Sequence, residues 1–136
     1  ILTSSKVTVV LKGNYIECGN CIIGTYEDIG KVQNSAQVDT INMTNSSRDT
    51  YGNITFTRRV NVPKINVNLV AAASEAAKLN RLRSDIASTP ILWSGLDDSY
   101  TNSYFNSLLI LGFYKTFKIN LDNAVSCSIN LELEEI

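Results

Sequence analysis

Every second residue from Val125 to Leu133 is apolar: Val125, Cys127, Ile129, Leu131 and Leu133. Ser126, Ser128, Asn130, Glu132 and Glu134 fill the alternate places. Strict period-two alternation predicts a strand with one buried face and one wet face, and helical spacing cannot produce it. Ser107 to Leu121 reads as a second long strand, with Leu109, Leu111, Phe113, Phe117, Ile119 and Leu121 on one face. Its other face begins apolar at Leu108 and Ile110, passes Gly112, and turns polar at Thr116, Lys118 and Asn120. The first half is therefore expected to be buried on both sides, with Gly112 at a bulge or a close backbone approach. Asp122-Asn123 suits a tight turn between the two strands.

Apolar spacing changes period between Ser74 and Ala87. Ala76, Leu79, Leu82 and Ile86 form a stripe at helical spacing, while Lys78, Arg81, Arg83 and Asp85 take the other faces. Ser74 is a good N-cap, Glu75 favours the first turn, and Ser88-Thr89-Pro90 ends the segment. Ile91 to Ser94 resumes as a short strand. Upstream, strands are expected over Lys6–Lys12, Tyr15–Cys18, Cys21–Thr25, Ala36–Met43, Asn53–Val62 and Ile65–Val70. Gly19-Asn20 makes a hairpin turn, and Pro63 separates the last two strands. Ser46–Gly52 and Gly95–Asn106 read as polar loops. The order of strands, one helix and more strands predicts a single domain over residues 1–136. Its class is mainly β: an antiparallel β-sandwich or barrel with one α-helix at about residues 74–87.

Composition narrows what such a domain can do. The 136 residues are 44% hydrophobic with a mean hydropathy of +0.01, enough for a packed core. Net charge is -1, not the basic balance of a dedicated nucleic-acid binder. No apolar run approaches the ~18 residues of a membrane-spanning helix, so no membrane insertion is expected. The chain opens at Ile1 with no basic n-region or apolar h-region, so no signal peptide is expected in the sequence as it stands. Only 18% of residues are charged, and Asn, Ser and Thr dress the surface instead. That texture suits an extracellular or particle-associated β-protein.

There is no histidine. This excludes Ser-His-Asp and Cys-His catalysis and histidine metal sites. Cys18-Gly19-Asn20-Cys21 is a C-x-x-C, but with Cys127 the one other cysteine and no histidine it falls short of the four ligands of a structural zinc site. On a predicted hairpin turn it also lacks the βαβ setting of a redox motif. No metal is therefore expected, and Cys18 and Cys21 read as turn-flanking cysteines, reduced or disulfide-bonded; Cys127 lies on a predicted buried face. Asp97-Asp98 and Glu132, Glu134 and Glu135 are acidic clusters without calcium-loop spacing. Sequons fall at Asn42, Asn45 and Asn53, a number that chance alone supplies. Trp93, Tyr100, Tyr104 and Phe105 border the long loop and are candidates for a subunit interface, a core edge or a glycan-stacking surface. Arg58-Arg59 with Lys78, Arg81 and Arg83 are too few for a nucleic-acid groove. No cofactor is expected.

Three stretches carry a resemblance: Leu79-Asn80-Arg81-Leu82-Arg83, then Thr89-Pro90-Ile91-Leu92-Trp93, then Leu109-Ile110-Leu111-Gly112-Phe113-Tyr114. With the final alternating strand they resemble tail proteins of tailed bacteriophages. Among these, they are most similar to the small β-sandwich domains with one helix of tail-tube, distal-tail and baseplate-ring subunits. The resemblance covers roughly Asn53 to Ile136 and rests on element order and residue texture. It implies a structural virion protein of the tail, in tube, collar or baseplate ring, that self-assembles into a symmetric ring beside other tail proteins, without catalysis. A carbohydrate- or receptor-binding β-sandwich using Trp93, Tyr100 and Tyr104 is the alternative, and an enzyme is a distant third.

Overall fold

The computed structural model describes residues 6–33, 36–95 and 105–136. The fold is mainly β with one α-helix, and its main antiparallel sheet curls into a half-barrel with a second, small sheet beside it. Short β1 (Lys31–Val32) and β2 (Gln37–Ile41) come first, followed by β3 (Asn45–Arg48) and β4 (Ile54–Thr57). Long β5 (Val62–Ala72) leads through a 3-10 turn, Ala73–Glu75, into helix α1 (Ala76–Asp85). Then come β6 (Ile91–Ser94), a 3-10 turn at Phe105–Leu108, β7 (Leu109–Leu121) and β8 (Ser126–Glu135). The large sheet runs β1-β5-β8-β7-β6, with β2 also on the outer side of β5; β3 and β4 form the small sheet.

Period two decides what is buried. Ile65, Val67, Leu69 and Ala71 of β5 face the core, opposite Leu133, Leu131, Ile129 and Cys127 of β8. All eight are less than 8% exposed. Leu79 of α1, 1% exposed, closes the open side of this layer. Two long-range bonds hold α1 there: Tyr114 Oη donates to the Arg83 carbonyl at 2.8 Å, and Arg83 Nη1 donates to the Phe117 carbonyl at 3.2 Å. Trp93 is 7% exposed and its Nε1 donates to the Gly112 carbonyl at 3.2 Å, so a large amphipathic ring is buried with its polar atom satisfied.

Strand β7 departs from uniform alternation, because its pairing with β8 slips between Tyr114 and Thr116. Lys115 is the extra residue, and such a bulge reverses which side chains face in. Before it, Ile110, Gly112 and Tyr114 point to the core; after it, Phe117 and Ile119 do. The expectation that Leu109, Leu111 and Phe113 share the buried face with Phe117 is therefore corrected: they lie on the outer face. Gly112 is the close approach expected of it, since a Cβ there would collide with the Glu134 carbonyl oxygen.

Other local expectations also change. Lys6–Lys12, Tyr15–Cys18 and Cys21–Thr25 form no strands; each has polar or exposed neighbours and no facing ladder to pay for ordering its backbone. Part of the expected polar loop at Ser46–Gly52 is β3, because it faces Ile54–Thr57 across a tight turn. Pro63 lies within β5 rather than ending it, one residue before the β8 ladder begins at Lys64. Ser74 does not cap α1: it sits inside the 3-10 turn, and no side chain caps the helix start. Four residues join β7 to β8, where Asn123 Oδ1 accepts from the Val125 and Ser126 amides, both at 2.8 Å.

Gly112→Ala must push β7 off β8, and overpacking of this kind costs about 1–3 kcal/mol or more. Urea unfolding should show a clearly lowered midpoint for this variant, and an unchanged midpoint would disprove the close approach.

Candidate functional site

Strand β2 pairs with β5 up to Ile41↔Val62, and after three intervening residues Asn45 pairs with Thr57. The small sheet is thus the distal half of one long hairpin, an arm of residues 42–61 that leaves the edge of the half-barrel. Its tip is fixed by Asp49. Asp49 Oδ1 accepts from the Tyr51 amide at 2.9 Å and the Asn53 amide at 2.8 Å, while Oδ2 accepts from Asn53 Nδ2 at 3.0 Å. The Gly52 amide donates to the Asp49 carbonyl at 3.1 Å, and Gly52 takes φ +88°, a conformation that glycine adopts without steric cost. These bonds hold the Asp49 carboxyl below its ordinary pKa, the Asn53 side chain contributing most.

The arm has two unlike faces. Opposed pairs Ser46↔Phe56 and Arg48↔Ile54 make one, and Asn45↔Thr57 and Ser47↔Thr55 make the other. Phe56 is 68% exposed and Ile54 47%, so the apolar face is largely uncovered by the described residues. Arg48, Arg58 and Arg59 stand on or beside it and have no ion-pair partner among the described residues. With Asp49 they give the arm a charge of +2, leaving -3 on the rest of a chain whose net charge is -1.

A second exposed element lies at the other end of the sequence. Residues 6–28 are exposed throughout, with Val7, Val9, Val10, Leu11, Ile16, Ile22 and Ile23 among them. Cys18 and Cys21 sit on this segment, both free and exposed, with Cys18 Sγ 3.7 Å from the Asn20 carbonyl oxygen. The segment joins the body at Glu27, which pairs with Lys78 of α1 at 2.8 Å, and at Ile29, which packs on the core.

Trp93 is in the core, Phe105 opens the 3-10 turn before β7, and Tyr100 and Tyr104 lie outside the described residues, as do Asp97 and Asp98. Of the C-terminal carboxylates, Glu132 pairs with Lys64 and accepts from Thr116 Oγ1 at 3.2 Å, and Glu134 lies 2.6 Å from Lys115 Nζ. The Lys64 ammonium, foremost, holds the Glu132 carboxyl below its ordinary pKa. No group of three or more His, Cys, Asp or Glu side chains converges on a metal position among the described residues. On the outer sheet face, Gln37, Asn66, Asn68, Thr116, Asn130 and Glu132 line an open polar depression of about 300 Å³.

The surface that sequence reading missed is the arm. Ile54 and Phe56 were legible as alternating strand residues, but nothing local showed that their facing partner is the hydroxyl-rich Asn45–Arg48, which leaves them uncovered.

Because the Asp49 pKa is lowered, the order it lends the tip is complete above the ordinary carboxylate pKa and gone once the pH falls through the lowered one. Amide exchange at Tyr51 and Asn53 should accelerate in that acid range, and Asp49→Ala should reproduce the fast exchange at neutral pH. Equal protection in the variant and the parent would contradict this account of the tip.

No protein-family model matches this sequence, and no curated protein sequence matches it either.

Proposed function

We propose that this chain is a non-catalytic structural subunit that associates with copies of itself into a symmetric ring, in the setting its tail-protein resemblance implies: the tube, collar or baseplate ring of a bacteriophage tail, beside other tail proteins. One observation carries the reading. The chain exposes 10826 Å² of surface, against about 7,000 Å² for a compact monomer of 15.0 kDa. The excess is not spread evenly. Of the twenty large apolar side chains exposed among the described residues, nine lie on residues 6–28 and five on the arm.

An isolated two-stranded hairpin is marginal in water, and an unpaired apolar segment more so. Both become worth ordering when a neighbour covers them. An excess of this size is what subunits with a neighbour on each side hide, since a stable interface buries about 1,600 Å² in total and obligate ones more. Closed symmetry supplies such neighbours to every copy at once. The small sheet-and-helix body, by contrast, offers a polar depression and no converging acid, base and nucleophile among its described residues.

Light scattering on a size-exclusion column tests the reading with purified protein at tens of micromolar. A discrete assembly of three, six or twelve subunits is expected. A monomer at every concentration tested would overturn it.

A further inference from the structure

The outer face of β6 and β7 carries a row of apolar side chains that the half-barrel does not use. Leu92 is 44% exposed and directly opposes Leu111; Leu109 and Phe113 stand on the same face and are half-buried. Leu92, Leu109 and Leu111, with Ile22 and Asn20 of the N-terminal segment, line an open hollow of about 260 Å³. The end of β8 runs beside it, with Glu134 opposite Phe113, Glu135 opposite Gly112, and the Ile136 amide donating to the Leu111 carbonyl at 3.3 Å.

We propose that the arm of one copy docks on this face of the next, Phe56 filling the hollow and Ile54 lying along the Leu92–Leu111 row. Three observations favour a second copy as the occupant, and the proposal rests on the self-assembling reading above. First, donor and acceptor match in chemistry: an apolar strip of one aromatic and one aliphatic side chain meets an apolar hollow wide enough for a ring. Second, charge is complementary. The arm carries +2 and the rest of the chain -3. At the end of β8, Lys64 takes up Glu132 and Lys115 takes up Glu134, while Glu135 has no ion-pair partner among the described residues. Third, the two surfaces sit on opposite edges of one sheet, since the arm grows from β2 and β5 while the hollow is on β6 and β7. Four strand spacings, about 19 Å along the sheet, separate those edges. A surface of one kind on one edge and its complement on the other makes a head-to-tail contact, the kind that generates rings when the rotation closes.

Two variants test it. Phe56→Ser removes the arm's anchor at an exposed position, and Leu92→Arg places a cation in the hollow, where the arm's arginines repel it. Each alone should weaken association tenfold or more, as loss of a central apolar anchor does, while far-UV circular dichroism stays that of the parent. Should Leu92→Arg fail to fold, Leu92→Ser takes its place.

Mixing the two variants gives the decisive readout. Each retains one sound half of the contact, so a 1:1 mixture should form a capped heterodimer and stop there. Variants that assemble like the parent, or two monomeric variants that do not pair on mixing, would overturn the docking while leaving self-assembly intact. A parent chain that is itself monomeric would overturn both.

Discussion

The ladder between β5 and β8 is the constraint on which the rest of the chain depends. Nine consecutive pairs join Lys64–Ala72 to Ser126–Glu134, and four of them oppose two buried apolar side chains. Burying one such side chain is worth about 1.5–3 kcal/mol, so this pair of strands supplies the greater part of the core. It is also non-local. More than fifty residues separate the strands, and everything between them, α1, β6 and β7, is a closed excursion whose ends the ladder ties together. Loop-closure entropy must be spent before those pairs form, which makes this a slow-folding topology for its size.

What the ladder requires fixes the outer surface. β7 must offer Ile110 and Tyr114 to the core beside β6, yet Phe117 and Ile119 beside the end of α1. Those positions have opposite parity, and the extra residue Lys115 reconciles them. The same reversal turns Leu109, Leu111 and Phe113 outward. Gly112 lets β7 approach β8 at that point, since any side chain would meet the Glu134 carbonyl. An apolar outer face on β6 and β7 is thus a consequence of how the core is packed, and it lies at the edge farthest from the arm.

Much of this was legible from period alone. The alternation of β8, the length of β7, the stripe of α1 and the brief β6 all follow from one-dimensional spacing, because each buries a face against long partners. The misreadings share one cause. Lys6–Lys12 alternates as well as many true strands do, but alternation states only that a face can be buried, not that a partner exists. Gly112 signals an irregularity in this strand but not that Lys115 is its extra residue, so the parity of Leu109 could not be read. Trp93 stands out in the sequence, but whether its ring faces core or solvent depends on Gly112, nineteen residues away, accepting its indole N–H. The arm's exposure was hidden for the complementary reason: it is a fact about what does not lie opposite Phe56.

Exposed strands with apolar faces invite indiscriminate pairing, and the chain limits this at the backbone. On β2, the Thr40 amide is taken by Asp39 Oδ1 at 2.7 Å, opposite Pro63, which has no N–H to offer. Where the arm begins, the Thr44 amide is taken by Asn42 Oδ1 at 2.9 Å, and before β1 the Gly30 amide is taken by Asp28 Oδ1 at 2.9 Å. Each short polar side chain satisfies a donor that an incoming strand would otherwise capture. The arm adds mutual repulsion, because Arg48, Arg58 and Arg59 oppose the approach of a second arm. Strand-to-strand addition and arm-to-arm pairing are both disfavoured by these devices. What these devices leave open is contact through side chains, apolar at Phe56 and Ile54 and cationic at the arginines beside them.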